Sequence, residues 1–142
     1  MTGRLSGKSR FRPENAHIHT LIGAGTQVQG ALNFRGGLHV DGQVDGHVSA
    51  EDVPGEAVLR IGRSGSIAGD VNVPYVLVEG CIRGRVYARC GLWVMTTGRI
   101  DGDVFYHVMT IEQGGVINGM AHRMDEGAEF PAQPDQPFLL EK

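Results

Sequence analysis

The sequence predicts an all-β protein in which short strands wind into a repetitive parallel coil. The first observation behind this prediction is a five-residue unit with apolar residues at both ends and glycine in the middle. A second is the alternation of apolar and polar residues, and a third is the content of 22 glycines. The unit occurs eight times, at residues 28–32, 40–44, 44–48, 67–71, 78–82, 82–86, 100–104 and 117–121. Such recurrence is typical of an array of equivalent structural parts.

A longer repeat defines the windings of the coil. The segment Thr20-Leu21-Ile22 opens the first winding. Each later winding opens at a pair of apolar residues, and the second winding is the longest of them. These pairs are Leu38/Val40, Leu59/Ile61, Val76/Val78, Leu92/Val94 and Met109/Ile111. Six windings are therefore predicted between residues 20 and 124.

Within each winding, apolar residues fall at even offsets from one another, as at Leu59, Ile61, Ile67, Val71 and Val73. This period of two indicates extended backbone with one buried side. Strands of three to five residues do not persist as isolated hairpins, so we expect each strand to pair with its equivalents in neighbouring windings. The intervening residues are expected to face water: Arg60, Asp70, Asn72, Glu79, Arg83, Arg85 and Tyr87.

Glycines at fixed offsets are expected at the corners where the chain passes from one side of the coil to the next. Glycine allows positive φ and close approach of a neighbouring backbone, because it lacks a Cβ atom. Two such corner ladders are predicted, one at Gly69, Gly102 and Gly119 and another at Gly65, Gly98 and Gly115.

The left-handed β-helix of acyltransferases and some zinc carbonic anhydrases is the competing fold. Its hexapeptide repeat places aliphatic residues every six positions, whereas Val40, Val44 and Val48 recur every four. The length of the windings and their four-residue corner units favour a right-handed triangular coil. An enzyme of the left-handed class remains a third functional hypothesis, with trimers and bound metal as its signature.

Four segments carry a resemblance to a known family. Residues 38–48, 59–71, 97–104 and 111–119 resemble the bactofilins, the polymer-forming bacterial cytoskeletal proteins. The resemblance extends over residues 20–124. It implies a right-handed three-sided parallel β-helix of about six coils, which assembles end to end into nonpolar filaments without nucleotide.

Composition divides the chain into a flexible basic leader (residues 1–17), a β-helix core (18–124) and a disordered, acidic, proline-containing tail (125–142). The chain contains no apolar run long enough to span a bilayer and no secretory signal, so we expect a cytoplasmic location, with the inner membrane face as an alternative. Cys81 and Cys90 are expected to be reduced thiols. The leader offers candidate contacts for an anionic membrane or a partner protein at Arg4, Leu5, Lys8, Arg10, Phe11 and Arg12.

The two terminal windings are the predicted polymerisation interface, because a stacked coil ends in unpaired strands. The first winding contributes Leu21, Ile22, Val28, Leu32 and Phe34, and the last contributes Met109, Ile111, Val116, Ile117 and Met120. The expected partners are further copies of the chain and client proteins that organise the cell wall or the chromosome. The alternative function is a small-oligomer adaptor that binds partners through its faces and tails.

The sequence indicates no enzyme. Asp41, Asp45, Asp101 and Asp103 are expected to be solvated outer residues rather than paired catalytic acids, and the weak pair His17/His19 does not amount to a metal site. We therefore expect no catalytic residue, cofactor, metal or small-molecule substrate. A net charge of −3 makes nucleic acid an unexpected partner.

Overall fold

The computed structural model describes residues 17–50 and 57–124. Within these ranges all regular structure is β-strand, arranged as three parallel six-stranded sheets around one axis. The prediction of an all-β coil with six windings is confirmed, while its right-handed sense stays a prediction. The leader up to residue 16 and the tail from residue 125, both predicted to be flexible, lie outside the described residues.

Each sheet takes one short strand from every winding. The first sheet contains β1 (Thr20–Ile22), β4 (Gly37–Val40), β7 (Val58–Ile61), β10 (Tyr75–Val78), β13 (Gly91–Val94) and β16 (Met109–Ile111). The second contains β2 (Gln27–Gln29), β5 (Gln43–Asp45), β8 (Ser66–Ala68), β11 (Cys81–Arg83), β14 (Arg99–Asp101) and β17 (Val116–Asn118). The third contains β3 (Leu32–Phe34), β6 (Val48–Ala50), β9 (Val71–Asn72), β12 (Val86–Ala88), β15 (Val104–Tyr106) and β18 (Ala121–Arg123).

Three consecutive strands form one coil, so coil 1 contains β1 to β3 and coil 6 contains β16 to β18. Equivalent positions on the outer side of the first sheet follow one another through Leu21, His39, Arg60, Leu77, Trp93 and Thr110. The number of residues from each of these positions to the next is the same as the number between the openings of the corresponding predicted windings. The repeat read from the apolar pairs is therefore confirmed, including the longer second winding.

A single apolar column runs through the middle of the coil. The inward residues of the first sheet, such as Val40, Ile61, Val78 and Val94, are fully buried in it. Each such side chain contributes about 1.5–3 kcal/mol relative to an exposed one. In the second sheet a single inward row runs the whole length of the coil, through Val28, Val44, Ile67, Ile82, Ile100 and Ile117.

The corner between the second and third sheets is occupied by glycine in every coil. All six have positive φ, between 114° and 159°: Gly30, Gly46, Gly69, Gly84, Gly102 and Gly119. A Cβ atom on any of the last five would overlap the carbonyl oxygen of the glycine one coil earlier. The predicted ladder of Gly69, Gly102 and Gly119 is therefore confirmed and extends to both ends.

The other predicted ladder lies at the corner between the first and second sheets. Gly65 N–H donates to the Gly62 carbonyl at 2.9 Å, Gly98 to Met95 at 2.8 Å and Gly115 to Glu112 at 2.9 Å. Each of these glycines closes a four-residue turn. Coils 2 and 4 have shorter corners here, but Gly42 and Gly80 occupy the same position directly before β5 and β11, so this ladder runs without interruption from coil 2 to coil 6.

Side chains next to the continuous glycine ladder bind backbone groups in the following coil. The Asp70 N–H donates to His47 Nδ1 at 3.0 Å, and the Arg85 N–H donates to Asp70 Oδ1 at 3.0 Å. The Met120 N–H donates likewise to Asp103 Oδ1 at 3.0 Å. These polar residues on the outside of the coil therefore help to hold successive coils in register.

The expectation that Tyr87 faces water is wrong, because its side chain is only 1% exposed. Tyr87 does lie outside the column, but its ring stacks on that of Phe105, with centroids 5.1 Å apart and planes within 6°. A hydrogen bond to Tyr87 also raises the pKa of Arg85. Parallel strands bring equivalent residues to within about 4.8 Å, so an outer aromatic ring can be covered by its neighbours one coil away.

Replacing one ladder glycine should show how much of the stability depends on this close approach. We expect Gly84→Ala to lower the free energy of unfolding by more than the roughly 1–3 kcal/mol of an unfavourable φ alone, because its Cβ would also overlap Gly69. Gly23→Ala is the matched control, since a Cβ there meets nothing within 4 Å. Urea unfolding followed by circular dichroism compares the two, and equal stabilities would contradict the steric account.

Candidate assembly faces at the ends of the coil

All three sheets have their edges at the two ends of the coil. Within the described residues, β1, β2 and β3 each pair on one side only, and so do β16, β17 and β18 at the opposite end. Each end therefore presents three short strand edges around the terminus of the apolar column. Such edges favour pairing with strands of another chain.

The N-terminal face is formed by Ile22, Val28, Leu32 and Phe34, the inward apolar side chains of coil 1. Ile22 and Phe34 are buried, while Val28 and Leu32 are partly buried and pack against the column. The structure thus brings together four of the five residues predicted at this end. The fifth, Leu21, is in register with His39 on the outer side of the first sheet and is 63% exposed.

The chain that enters coil 1 also contacts this end. The His19 N–H donates to the Gly37 carbonyl at 2.9 Å, and the Gly37 N–H donates to His19 Nδ1 at 3.1 Å. Residues 17–19 therefore continue the inter-coil hydrogen bonding at one corner beyond β1. These contacts lie between coil 1 and coil 2, so they lengthen coil 1 and do not cover its open edge.

The C-terminal face is formed by Met109, Ile111 and Ile117, the inward apolar side chains of coil 6. Met109 and Ile117 pack against the column, and Ile111 is 46% exposed. Val116 is instead in register with Arg99 on the outer side of the second sheet, and Met120 lies at a corner with 65% of its surface exposed. The structure therefore does not bring these last two predicted residues to the face.

Sequence reasoning missed Ala121 and Arg123 at this end. They are in register with Val104 and Tyr106, so they occupy the last positions of two rows whose earlier members lie in the column. Val104 and Ala121 are as far apart in the sequence as Trp93 and Thr110 in the first sheet. Adding this repeat length to the positions of Val104 and Tyr106 would therefore have identified both residues from the sequence.

A charged cluster attaches the last coil to the one before it. Asp101 Oδ1 accepts a hydrogen bond from Asn118 Nδ2 at 2.8 Å and another from Arg99 Nε at 3.1 Å. The Asn118 hydrogen bond, together with Arg99 and the nearby charge of Arg83, lowers the pKa of Asp101. Because Asn118 belongs to β17, the ionised carboxylate holds this terminal strand on β14.

The remaining predicted sites have simpler positions. Asp41 Oδ1 lies 3.0 Å from His39 Nε2, and Asp45 Oδ2 accepts a hydrogen bond from Gln27 Nε2 at 3.0 Å.

In residues 17–50 and 57–124, no three potential metal-ligating side chains come together. Over the same stretches, no helix is long and apolar enough to cross a membrane. The leader candidates from Arg4 to Arg12 lie outside the described residues.

These features define a parallel β-solenoid whose windings end in strands open to further pairing. The model of the bactofilin family, described as polymer-forming cytoskeletal, matches residues 20–122. The chain therefore belongs to the bactofilin family, as its resemblance predicted. It matches no curated protein and no solved structure.

The attachment of β17 should depend on pH through Asp101. A carboxylate whose pKa is lowered in the folded state stabilises that state above its ordinary value of about 3.9, and the contribution is lost as the pH falls through the lowered pKa. We therefore expect the amides of residues 116–118 to lose hydrogen-exchange protection in acid before those of β11. Asp101→Ala should produce the same loss at neutral pH, whereas unchanged protection would show that the cluster does not hold the strand.

Proposed function

We propose that the protein is a structural subunit that assembles end to end, without nucleotide, into filaments that scaffold other proteins. The observation that carries this proposal is the coincidence, at each end, of three singly paired strands with the terminus of an apolar column. The interactions that hold one coil on the next can then hold one copy on the next. Membership of a polymer-forming family supports the same conclusion.

Magnitudes indicate which interaction decides assembly. Full burial of a large apolar side chain contributes about 1.5–3 kcal/mol, but Ile22 and Phe34 are already buried in the single molecule, so assembly gains less than this for each side chain of the N-terminal face. Association costs an estimated 4–15 kcal/mol, which the side chains alone therefore do not offset. Backbone hydrogen bonds between three pairs of strands add about 1 kcal/mol each, and about a dozen of them favour the assembled state. No bound nucleotide is needed in this account.

We further propose that like ends pair, which gives filaments without polarity. A like-end contact has a twofold axis and joins the N-terminal face to a second, equally apolar copy of itself. A head-to-tail contact that continued the same register would instead place Arg123 on Phe34, at the end of a row that packs in the column. Burial of a guanidinium at such a position is unfavourable unless it is fully paired.

The proposed role is scaffolding rather than catalysis, with proteins of the cell wall or chromosome as clients and the cytoplasm as the location. Contact of the basic leader with the inner membrane face stays a prediction. The adaptor hypothesis is favoured by two partly buried aromatic rings on the outside of the first sheet, Tyr75 and Trp93. Sedimentation separates the alternatives, because an adaptor remains a small species at all concentrations.

Adjacent residues of β17 provide a matched test of end-to-end assembly. We expect Ile117→Glu to abolish filaments, because it places a charge at the end of the column, whereas Val116→Glu should leave them intact beside Arg99. Electron microscopy without nucleotide shows the filaments, and circular dichroism checks that both variants keep their β-structure. Filaments of Ile117→Glu, or their equal loss in both variants, would contradict the assignment of the C-terminal face.

A second variant tests polarity. Val28 and Ile117 are the two ends of the same inward row, so Val28→Glu blocks the N-terminal face alone. With like-end pairing, each single variant should sediment as a dimer, and mixing the two should create no new species. Monomers that form dimers only on mixing would show a polar, head-to-tail contact instead.

A further inference from the structure

Asn118 is the asparagine of the chain that a glycine follows, since Asn15, Asn33 and Asn72 precede other residues. Asparagine is among the chemically labile residues of proteins. Its side-chain amide is attacked most readily by the main-chain nitrogen of a following glycine, which has no Cβ atom to hinder the approach. Asn118 and Gly119 are both exposed, at the corner between β17 and β18. This pair is therefore the place in the sequence at which deamidation is chemically easiest.

The main-chain N–H of Gly119 differs from those of the other glycines at the corner between the second and third sheets. In each of the five earlier coils, this N–H donates to a main-chain carbonyl of the next coil at 2.9–3.0 Å. Gly119 belongs to the last coil, and its N–H has no acceptor among the described residues. A hydrogen bond to a carbonyl retains the proton that the nitrogen must lose before it can attack. At this corner, the fold therefore protects the earlier glycine nitrogens and not that of Gly119.

The reaction needs only Asn118, Gly119 and water. The Gly119 nitrogen attacks Cγ of Asn118, the new C–N bond closes an imide ring, and the side-chain nitrogen leaves as ammonia with the proton released from Gly119. Water then cleaves one of the two ring C–N bonds. Cleavage of the new bond gives aspartate, and cleavage of the original peptide bond gives isoaspartate. Overall, one water is consumed and one ammonia is released.

A contact with the preceding coil slows this reaction. The Asn118 side chain donates to Asp101 Oδ1 at 2.8 Å, which holds its amide toward coil 5. The Gly119 N–H is directed to the opposite side, where the acceptor of a further coil would lie. Attack therefore requires the Asn118 side chain to rotate, and the reaction proceeds from molecules in which the hydrogen bond to Asp101 is open.

The products cannot restore the contact that attaches β17 to β14. Asn118 is in register with Asp101 on strands about 4.8 Å apart, so a carboxylate at position 118 would face that of Asp101. Like charges directly opposite each other destabilise a pair of strands. Isoaspartate also adds one carbon atom to the main chain beside Gly119, whose close contact with the Gly102 carbonyl positions this corner. Both products therefore loosen the coil that carries the C-terminal face.

We propose that Asn118 is a deamidation site of the folded protein, and that its conversion to aspartate or isoaspartate releases β17 from β14. Because the ammonia is lost to solution, the converted form accumulates with the age of the molecule. The site lies within one copy of the chain, so the proposal is independent of end-to-end assembly.

The variant Asp45→Asn provides a matched Asn-Gly pair in coil 2. Position 45 is exposed like Asn118, but the N–H of the following Gly46 donates to the Ala68 carbonyl at 2.9 Å. Peptide mass spectrometry follows both positions at mildly alkaline pH, in the background of Ile111→Glu, which is expected to keep other copies off the C-terminal face. We expect conversion at position 118 to be at least several-fold faster than at position 45 in the folded protein, and the two rates to be similar in urea.

Equal rates at the two positions in the folded protein, or no conversion of Asn118, would overturn the proposed site. Its consequence is tested with Asn118→Asp, for which we expect the amides of residues 116–118 to lose hydrogen-exchange protection relative to those of β11. Asn33→Asp is the control, because Asn33 Nδ2 donates to the uncharged Ser49 Oγ at 3.0 Å in coils remote from β17. Unchanged protection of residues 116–118 in Asn118→Asp, or the same loss in Asn33→Asp, would contradict the release of β17.

Discussion

The structure depends on how closely successive coils approach at the corner between the second and third sheets. Five of the six glycines there leave no room for a Cβ atom, because the carbonyl oxygen of the preceding glycine occupies its place. This contact fixes the position of each coil on the one before it. Once one corner is fixed, the strands on all three sides pair in parallel register and the inward Val, Ile and Leu side chains form continuous rows.

The same regularity explains why the ends of the molecule are its candidate functional surfaces. In the interior, each strand has a neighbour on both sides, and each column residue has an equivalent above and below. Coils 1 and 6 lack one of these neighbours within the described residues. Among these residues, the repeat therefore ends without a distinct structural cap at either end. In the proposed assembly, a further copy of the chain would supply the missing neighbour through strand pairing and apolar contact.

The outer rows differ from the column because they do not have to be alike. One side carries Tyr75 and Trp93, another carries the stacked rings of Tyr87, Phe105 and His122, and the second sheet carries the charged cluster around Asp101. Because assembly through the ends leaves these sides uncovered, a filament would repeat each of them along its length. Such repetition suits a scaffold, in which many copies of one client lie on one surface.

The sequence by itself determined the all-β class, the six windings and their unequal lengths, since alternation and repeat length are properties of the local chain. It also located the column, as Val44, Ile67, Ile82 and Ile100 show. Only the tertiary structure decided that Tyr87 and Leu77 are buried outside the column, and that Leu21, Val116 and Met120 lie outside the end faces. Those outcomes depend on contacts with residues one coil away, which are distant along the chain. The period of a strand leaves open which neighbour covers an outer side chain, because that depends on the register between coils.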